Sequence, residues 1–77
     1  MKGLRLYYFD DCPYCNKVRK YMKENSIEVE MIDIYADSKN KEELVEIGGK
    51  YQVPMLLIEG EPLYESDDII EWFRGNV

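Results

Sequence analysis

Two cysteines, Cys12 and Cys15, enclose Pro13 and Tyr14 near the start of the chain. They are the only cysteines among 77 residues, and the chain has no histidine. Thiols at this spacing on a helix lie about one turn apart, so they can form a disulfide and reopen it. At a helix N-terminus, unpaired N–H groups and the helix dipole stabilise a thiolate. Cys12 is therefore the candidate nucleophile and Cys15 the resolving thiol, and no general base is required.

A structural zinc site is the main alternative for this cysteine pair. Such a site has four ligands, usually cysteine and histidine. This chain would need a second chain or an unusual set of carboxylates to complete one, because it offers two cysteines and no histidine. A second alternative, that both cysteines are merely core residues, is disfavoured by the intervening Pro13. We therefore expect no bound metal.

Val53-Pro54 directly precedes an apolar run from Met55 to Ile58. An X-Pro bond between the end of a helix and a buried strand can be cis, and a cis bond is a deliberate structural feature. The cis form would leave the backbone N–H and C=O of Val53 open beside the thiols, where an extended peptide could pair with them. A trans proline that starts the strand remains the open alternative.

The acidic stretch Glu65-Ser66-Asp67-Asp68 comes at the predicted start of the last helix. Free N–H groups at a helix start bind a carboxylate, and an adjacent aspartate can bind an amine. A group with both charges, such as an α-amino acid end, fits this pattern. Ordinary capping by Ser66, with Asp67 and Asp68 in the first turn, is the simpler alternative.

Hydrophobic patterning predicts four strands and three helices that position these residues. The strands are expected at 4–9, 29–34, 55–58 and 62–65, the last two as an antiparallel hairpin. The helices are expected to begin at Pro13, at Asp37 or Ser38, and at Ser66, and to end near Asn25-Ser26, Ile47 and Gly75. Their inward-facing residues are expected to be Val18, Tyr21, Met22, Leu44, Ile47, Ile69, Ile70 and Phe73.

The resulting order, β-α-β-α-β-β-α, indicates an α/β fold. A right-handed crossover makes the first two strands parallel, and the hairpin adds an antiparallel pair. We expect a four-stranded mixed sheet flanked by three helices, forming one domain over residues 1–77.

Composition and charge exclude several classes of protein. A formal charge of −6 disfavours nucleic acid and anionic membrane surfaces as partners. The start of the chain has no apolar signal-peptide core, and no run approaches the roughly 20 apolar residues that span a bilayer. We expect a soluble cytoplasmic monomer in which a C-x-x-C pair is catalytic rather than a structural disulfide.

Cys-Pro-Tyr-Cys after a strand, Val53-Pro54 before another and Ser66-Asp67-Asp68 on the last helix together resemble the glutaredoxin family. The resemblance covers essentially the whole chain. It implies a thioredoxin-like fold, glutathione as co-substrate, no tightly bound cofactor, and reduction of protein disulfides or glutathione mixed disulfides. Glu65-Ser66 also resembles the glutathione-binding element of glutathione transferase N-terminal domains, which share that fold.

The same resemblance implies roles for individual residues. Cys12 would become glutathionylated, and Cys15 would close the intramolecular disulfide. Tyr14 would line the glutathione groove.

The other implied roles concern the two ends and the middle of glutathione. Val53, before a cis Pro54, would pair its backbone with the cysteinyl part. Ser66 and Asp67 would hold the γ-glutamyl end through backbone N–H groups and the carboxylate, respectively. Lys50 would meet the glycyl carboxylate.

The residues just before Cys12 depart from the glutaredoxin pattern. Many glutaredoxins have a lysine three residues before the first cysteine, where this chain has Phe9, and Asp10 and Asp11 follow it. Negative charges nearby disfavour a thiolate. We predict that Cys12 ionises at a higher pH than in a lysine-bearing relative, and that glutathione loses one cation for its glycyl carboxylate.

Three other functions stay open at this point. A redoxin reduced by a thioredoxin-type reductase or another thiol, such as an electron donor for ribonucleotide reductase, would use the same cysteines. An iron–sulfur carrier would bridge a cluster between two chains through Cys12 and glutathione. In a pure binding module, the thiols would take part in no reaction.

Overall fold

A computed structural model describes residues 3–77. It contains three helices and four strands in the predicted order: β1 (Leu4–Tyr8), α1 (Pro13–Glu24), β2 (Glu30–Asp33), α2 (Ser38–Gly48), β3 (Met55–Ile58), β4 (Glu61–Tyr64) and α3 (Ser66–Asn76). The predicted element types are all confirmed. Met1 and Lys2, on which the expectation of no signal peptide partly rests, lie outside the described residues.

The four strands form one mixed sheet in the order β2-β1-β3-β4. β1 runs parallel to β2 and antiparallel to β3, and β3 runs antiparallel to β4. The β3–β4 turn has positive φ at both Glu59 (49°) and Gly60 (90°), the backbone that a two-residue hairpin turn favours. The predicted sheet and the thioredoxin-like fold are thus confirmed.

Side chains alternate across β1 and β3, so the sheet has two buried faces. One face packs with α1 and α3, through Leu6, Val18, Leu56, Ile69 and Phe73, each fully buried. The other face packs with α2, through the buried residues Tyr7, Ile34, Leu44, Met55 and Leu57. α1 and α3, which carry two of the predicted functional segments, therefore lie on the same side of the sheet.

Two predictions about element details are wrong. Ile47 is exposed rather than inward-facing, because α2 buries one side chain, Leu44, and turns Ile47 towards solvent. Ser66 does not cap α3: Glu65 occupies the cap position with no side-chain cap hydrogen bond, and Ser66 is the first helical residue. Gly49, in contrast, ends α2 in the left-handed conformation, as a C-terminal glycine does.

No helix within residues 3–77 combines the length and apolar character needed to cross a bilayer.

Candidate functional site

Cys12 caps α1 with its own sulfur. Its backbone is extended (φ −80°, ψ 114°), and its Sγ accepts a hydrogen bond from the backbone N–H of Cys15 at 3.2 Å. Pro13 occupies the first helical turn, where its missing N–H costs nothing. The Cys12 sulfur therefore lies at the start of α1 and accepts one of the N–H groups that a helix start leaves unpaired.

Cys15 lies one turn deeper and is shielded from solvent. Both cysteines are free thiols, Cys12 being 4% exposed and Cys15 fully buried. Burial, and then hydrogen bonding with the Cys12 side chain, raises the pKa of Cys15 to about 12, against smaller opposing effects of the Phe9 backbone and the Arg19 charge. Cys15 is therefore a protonated thiol at neutral pH.

This asymmetry predicts selective alkylation of the reduced protein. Because thiolates react and thiols do not, iodoacetamide at pH 8 should modify Cys12 at least about tenfold faster than Cys15. Mass spectrometry of the digested protein measures both sites. In denaturant the preference should vanish, since burial no longer raises the pKa of Cys15. Equal labelling of the folded protein would contradict the asymmetry.

Arg19 forms an ion pair with the acidic segment that precedes Cys12, a contact that the sequence analysis did not predict. The carboxylate of Asp10 pairs with Arg19 Nη1 at 3.3 Å, and the Arg19 guanidinium lies 4.8 Å from the centre of the Tyr8 ring. Arg19 follows Cys12 by seven residues, two helical turns, and this spacing was the available signal. Asp10 therefore acts on the site together with a positive charge rather than alone.

The sheet brings the three predicted segments together at one end of its strands. Tyr7 near the end of β1 pairs with Met55 at the start of β3, and Met55 pairs with Tyr64 at the end of β4. The loop that leads to Cys12 follows β1, Val53-Pro54 precedes β3, and α3 follows β4. All three segments therefore leave or enter the sheet at the same end.

The Val53–Pro54 bond is cis, and Pro54 is buried. Val53 packs its side chain against the cluster that contains Tyr7 and Met55. Within residues 3–77, its backbone N–H and C=O take part in no hydrogen bond. These two groups are therefore without a backbone partner among the described residues, as the sequence analysis expected of the cis form.

The start of α3 is tied to that loop by a side-chain hydrogen bond. Gln52 Nε2 donates to Glu65 Oε1 at 3.0 Å. Glu65 has φ 71° and ψ 121°, a left-handed backbone that is uncommon outside glycine and that concentrates at functional sites. Ser66 is buried, and the first N–H groups of α3 have no partner inside the helix.

The charged residues expected at the two ends of a ligand already have partners. Asp67 forms an ion pair with Lys17 of α1. Lys50 Nζ lies 4.4 Å from the centre of the Tyr64 ring, and the Lys50 carbonyl accepts a hydrogen bond from Tyr64 Oη at 3.3 Å. Tyr14 is 67% exposed in the first turn of α1. Sequence spacing alone did not reveal the Lys17–Asp67 pair, because it joins two helices.

An aromatic side of the site was also missed. The Phe9 ring lies 5.1 Å from that of Tyr35, and the hydroxyls of Tyr35 and Tyr51 are 2.7 Å apart. The backbone carbonyl of Phe9 also accepts a hydrogen bond from the backbone N–H of Cys12, with an N–O distance of 3.2 Å. Phe9 thus connects the thiol loop with this aromatic pair, where many glutaredoxins have a lysine. Within the same residues 3–77, no three His, Cys, Asp or Glu side chains are grouped to hold a metal ion.

Comparison with known proteins assigns the family. Residues 6–77 match the family described as glutathione S-transferase, N-terminal domain. The chain belongs to this thioredoxin-like domain family. Among curated proteins it is 27% identical over 73 residues to an uncharacterised glutaredoxin-like 8.6 kDa protein in the rubredoxin operon of Clostridium pasteurianum, covering 88% of this chain and 97% of that protein.

Two further comparisons agree with this assignment. The chain is 22% identical over 69 residues to glutaredoxin 3 of Escherichia coli strain K12, covering 90% of this chain and 83% of the relative. The crystal structure of the thioredoxin-like protein BC3987 superposes with a TM-score of 0.79 at 26% identity, covering 96% of this chain and 99% of the other. The resemblance to glutaredoxins is confirmed, and the chain belongs to a family of glutaredoxin- and thioredoxin-like redox proteins.

Proposed function

We propose that this protein is a thiol-disulfide oxidoreductase that reduces protein disulfides and glutathione mixed disulfides, with glutathione as co-substrate. The observation that carries the proposal is the helix-capping Cys12 sulfur, hydrogen-bonded to the Cys15 N–H at 3.2 Å with a fully buried thiol behind it. The family and its glutaredoxin relatives support the same class of chemistry.

The reaction proceeds by two thiol-disulfide exchanges. The Cys12 thiolate attacks one sulfur of the substrate disulfide, forming a mixed disulfide and releasing the other sulfur as a thiolate that takes up a proton. The Cys15 sulfur then attacks the Cys12 sulfur while the Cys15 proton passes to the departing substrate sulfur, which leaves as the second substrate thiol, and a Cys12–Cys15 disulfide remains. Two glutathione molecules reduce this disulfide and leave as glutathione disulfide. A glutathionylated substrate needs no Cys15, because a second glutathione resolves the Cys12 adduct.

The three segments at this end of the strands, namely the thiol loop, the Val53-Pro54 loop and the start of α3, supply the proposed glutathione site. Tyr14 lines one wall, and the open backbone groups of Val53, set by the cis bond to Pro54, pair with the cysteinyl residue of glutathione. The N–H groups at Ser66 and the carboxylate of Asp67 hold the γ-glutamyl end.

The glycyl end has a weaker set of partners. Lys50 is the candidate cation, but its ammonium stacks on Tyr64 in the structure. Binding of the glycyl carboxylate at Lys50 would require that contact to loosen or to be shared.

A second candidate, a redoxin reduced by a thioredoxin-type reductase, is favoured by two specific observations. Lys17 forms an ion pair with the Asp67 carboxylate, the group to which the amine of glutathione would bind. Phe9 also replaces a cation near Cys12. A protein reductase would need neither charged group, because it reaches the thiols through its own surface.

Comparing reductants separates the two candidates. The oxidised protein is incubated with NADPH and either glutathione plus glutathione reductase or thioredoxin reductase, with a glutathionylated peptide as substrate. We expect NADPH oxidation at least about tenfold faster with glutathione. NADPH oxidation only in the arm with thioredoxin reductase would show that the reductant is a protein and not glutathione. No NADPH oxidation in either arm would refute the oxidoreductase proposal.

A further inference from the structure

The exposed side of α1 is basic in an acidic protein. The chain carries a formal charge of −6, yet α1 holds four cations and one carboxylate: Lys17, Arg19, Lys20, Lys23 and Glu24. Lys17 and Arg19 pair with Asp67 and Asp10. Lys20 and Lys23 have no ion-pair partner in the part of the chain that the structure describes.

A groove of about 760 Å³ lies between this side of α1 and β2. Its apolar lining consists of Met22, Ile27, Val29 and Met31. Its charged lining consists of Arg19, Lys20, Lys23 and Glu28. The groove therefore combines an apolar floor with an excess of positive charge.

The strand beside the groove is an edge of the sheet. β2 pairs with β1 on one side, and among the described strands none lies on its other side. The outward N–H and C=O groups of an edge strand are a template for an added strand. Met31 pairs in register with Leu6, which packs towards α1, and the Met31 side chain is 38% exposed. An added strand could thus place alternate side chains in the groove.

We propose that this groove docks an extended acidic segment of a partner protein. The segment's backbone adds to the free edge of β2, and its alternate apolar side chains cover Met22 and Met31. Its carboxylates face Lys20 and Lys23. β2 itself carries Glu30 and Asp33, so the attraction for an acidic segment comes from the α1 side of the groove. The net negative charge of the chain disfavours binding of such a segment elsewhere.

The groove adjoins the thiol loop at one end. Asn16 lines it, donates its backbone N–H to the Cys12 carbonyl at 2.9 Å and donates Nδ2 to the Asp10 carbonyl at 3.0 Å. A docked segment would hold its protein beside Cys12 without touching either sulfur. This consequence rests on the proposed function, whereas the docking itself does not.

The test uses a fluorescein-labelled short peptide of alternating glutamate and valine, with a matched lysine–valine peptide as control. Fluorescence anisotropy measures binding to the full chain, and amide NMR shifts locate it. The acidic peptide should bind, shift β2 and the second half of α1, and weaken as salt rises. Lys20→Glu/Lys23→Glu should weaken binding by about tenfold or more, while Lys39→Glu/Lys41→Glu, with the same charge change on α2, should alter it by less than about twofold.

Several results would overturn the docking proposal. These are equal binding of the two peptides, equal losses in the two charge-reversed proteins, or shifts confined to α2. Concentration-dependent shifts at β2 without peptide would assign the groove to a second copy of this chain instead. Cys12→Ser should leave peptide binding intact, so failure of the thiol chemistry and failure of docking are separable.

Discussion

Cys12→Ser is expected to abolish reduction of a glutathionylated peptide, lowering the rate on the order of a thousandfold or more. A serine oxygen cannot form the disulfide through which the reaction proceeds. The variant should still fold, because serine is a favoured helix cap and its oxygen can accept the Cys15 N–H in place of sulfur. The rate is measured by coupling glutathione disulfide to NADPH oxidation, and circular dichroism checks the fold.

Cys15→Ser is the matched control for this prediction. It should keep reduction of the glutathionylated peptide within about tenfold, because a second glutathione resolves the Cys12 adduct. It should lose reduction of a protein disulfide that depends on the dithiol. If Cys15→Ser were the inactive variant and Cys12→Ser the active one, the assignment of nucleophile and resolving thiol would be reversed.

Gly48→Ala is expected to destabilise the protein by about 1–3 kcal/mol. A Cβ at Gly48 would lie 1.7 Å from Tyr64 Oη and 3.0 Å from Met55 Sδ. Tyr64 would have to move, losing its hydrogen bond to the Lys50 carbonyl and the Lys50 ammonium over its ring. Thermal unfolding of the reduced protein measures the loss, and each kcal/mol lowers Tm by roughly 4–8 °C in a domain of this size.

Gly75→Ala provides the comparison for Gly48→Ala. Gly75 also lies in a helix, but a Cβ there meets nothing within 4 Å. Alanine should therefore raise stability by up to about 1 kcal/mol through helix propensity alone. Similar Tm changes in the two variants would contradict the claim that the Tyr64 ring fills the space at Gly48.

The sequence was sufficient to predict the order of elements because hydrophobic periodicity, the glycine after α2 and the proline of the thiol motif are local signals. The same holds for the Cys12 cap, since a cysteine before Pro13 at a strand-to-helix junction has few other placements. The cis Val53–Pro54 bond was named as an alternative, and the structure contains it.

Contacts between elements could not be predicted in the same way. The Lys17–Asp67 pair joins residues 50 apart in sequence. The Asp10–Arg19 pair had a signal in the helical spacing of Arg19 from Cys12, but that spacing does not tell which residue of the thiol loop Arg19 contacts. Ser66 gave a strong capping signal, yet the left-handed Glu65 takes the cap position, because the chain turns sharply from β4 into α3. The expectation that Cys12 ionises at a higher pH than in relatives stays a prediction.

The two faces of the sheet differ in how firmly they are held. Two helices secure the Leu6 and Phe73 face, whereas α2 secures the Tyr7 and Met55 face with Leu44 as its single buried side chain. Local opening costs least where few apolar groups are lost, so we expect α2 to open from the sheet more readily than α1 or α3. Val53 packs on that same face, so the backbone proposed to pair with a peptide rests on the more easily opened side, while α1, which carries Cys15, packs on the firmer side.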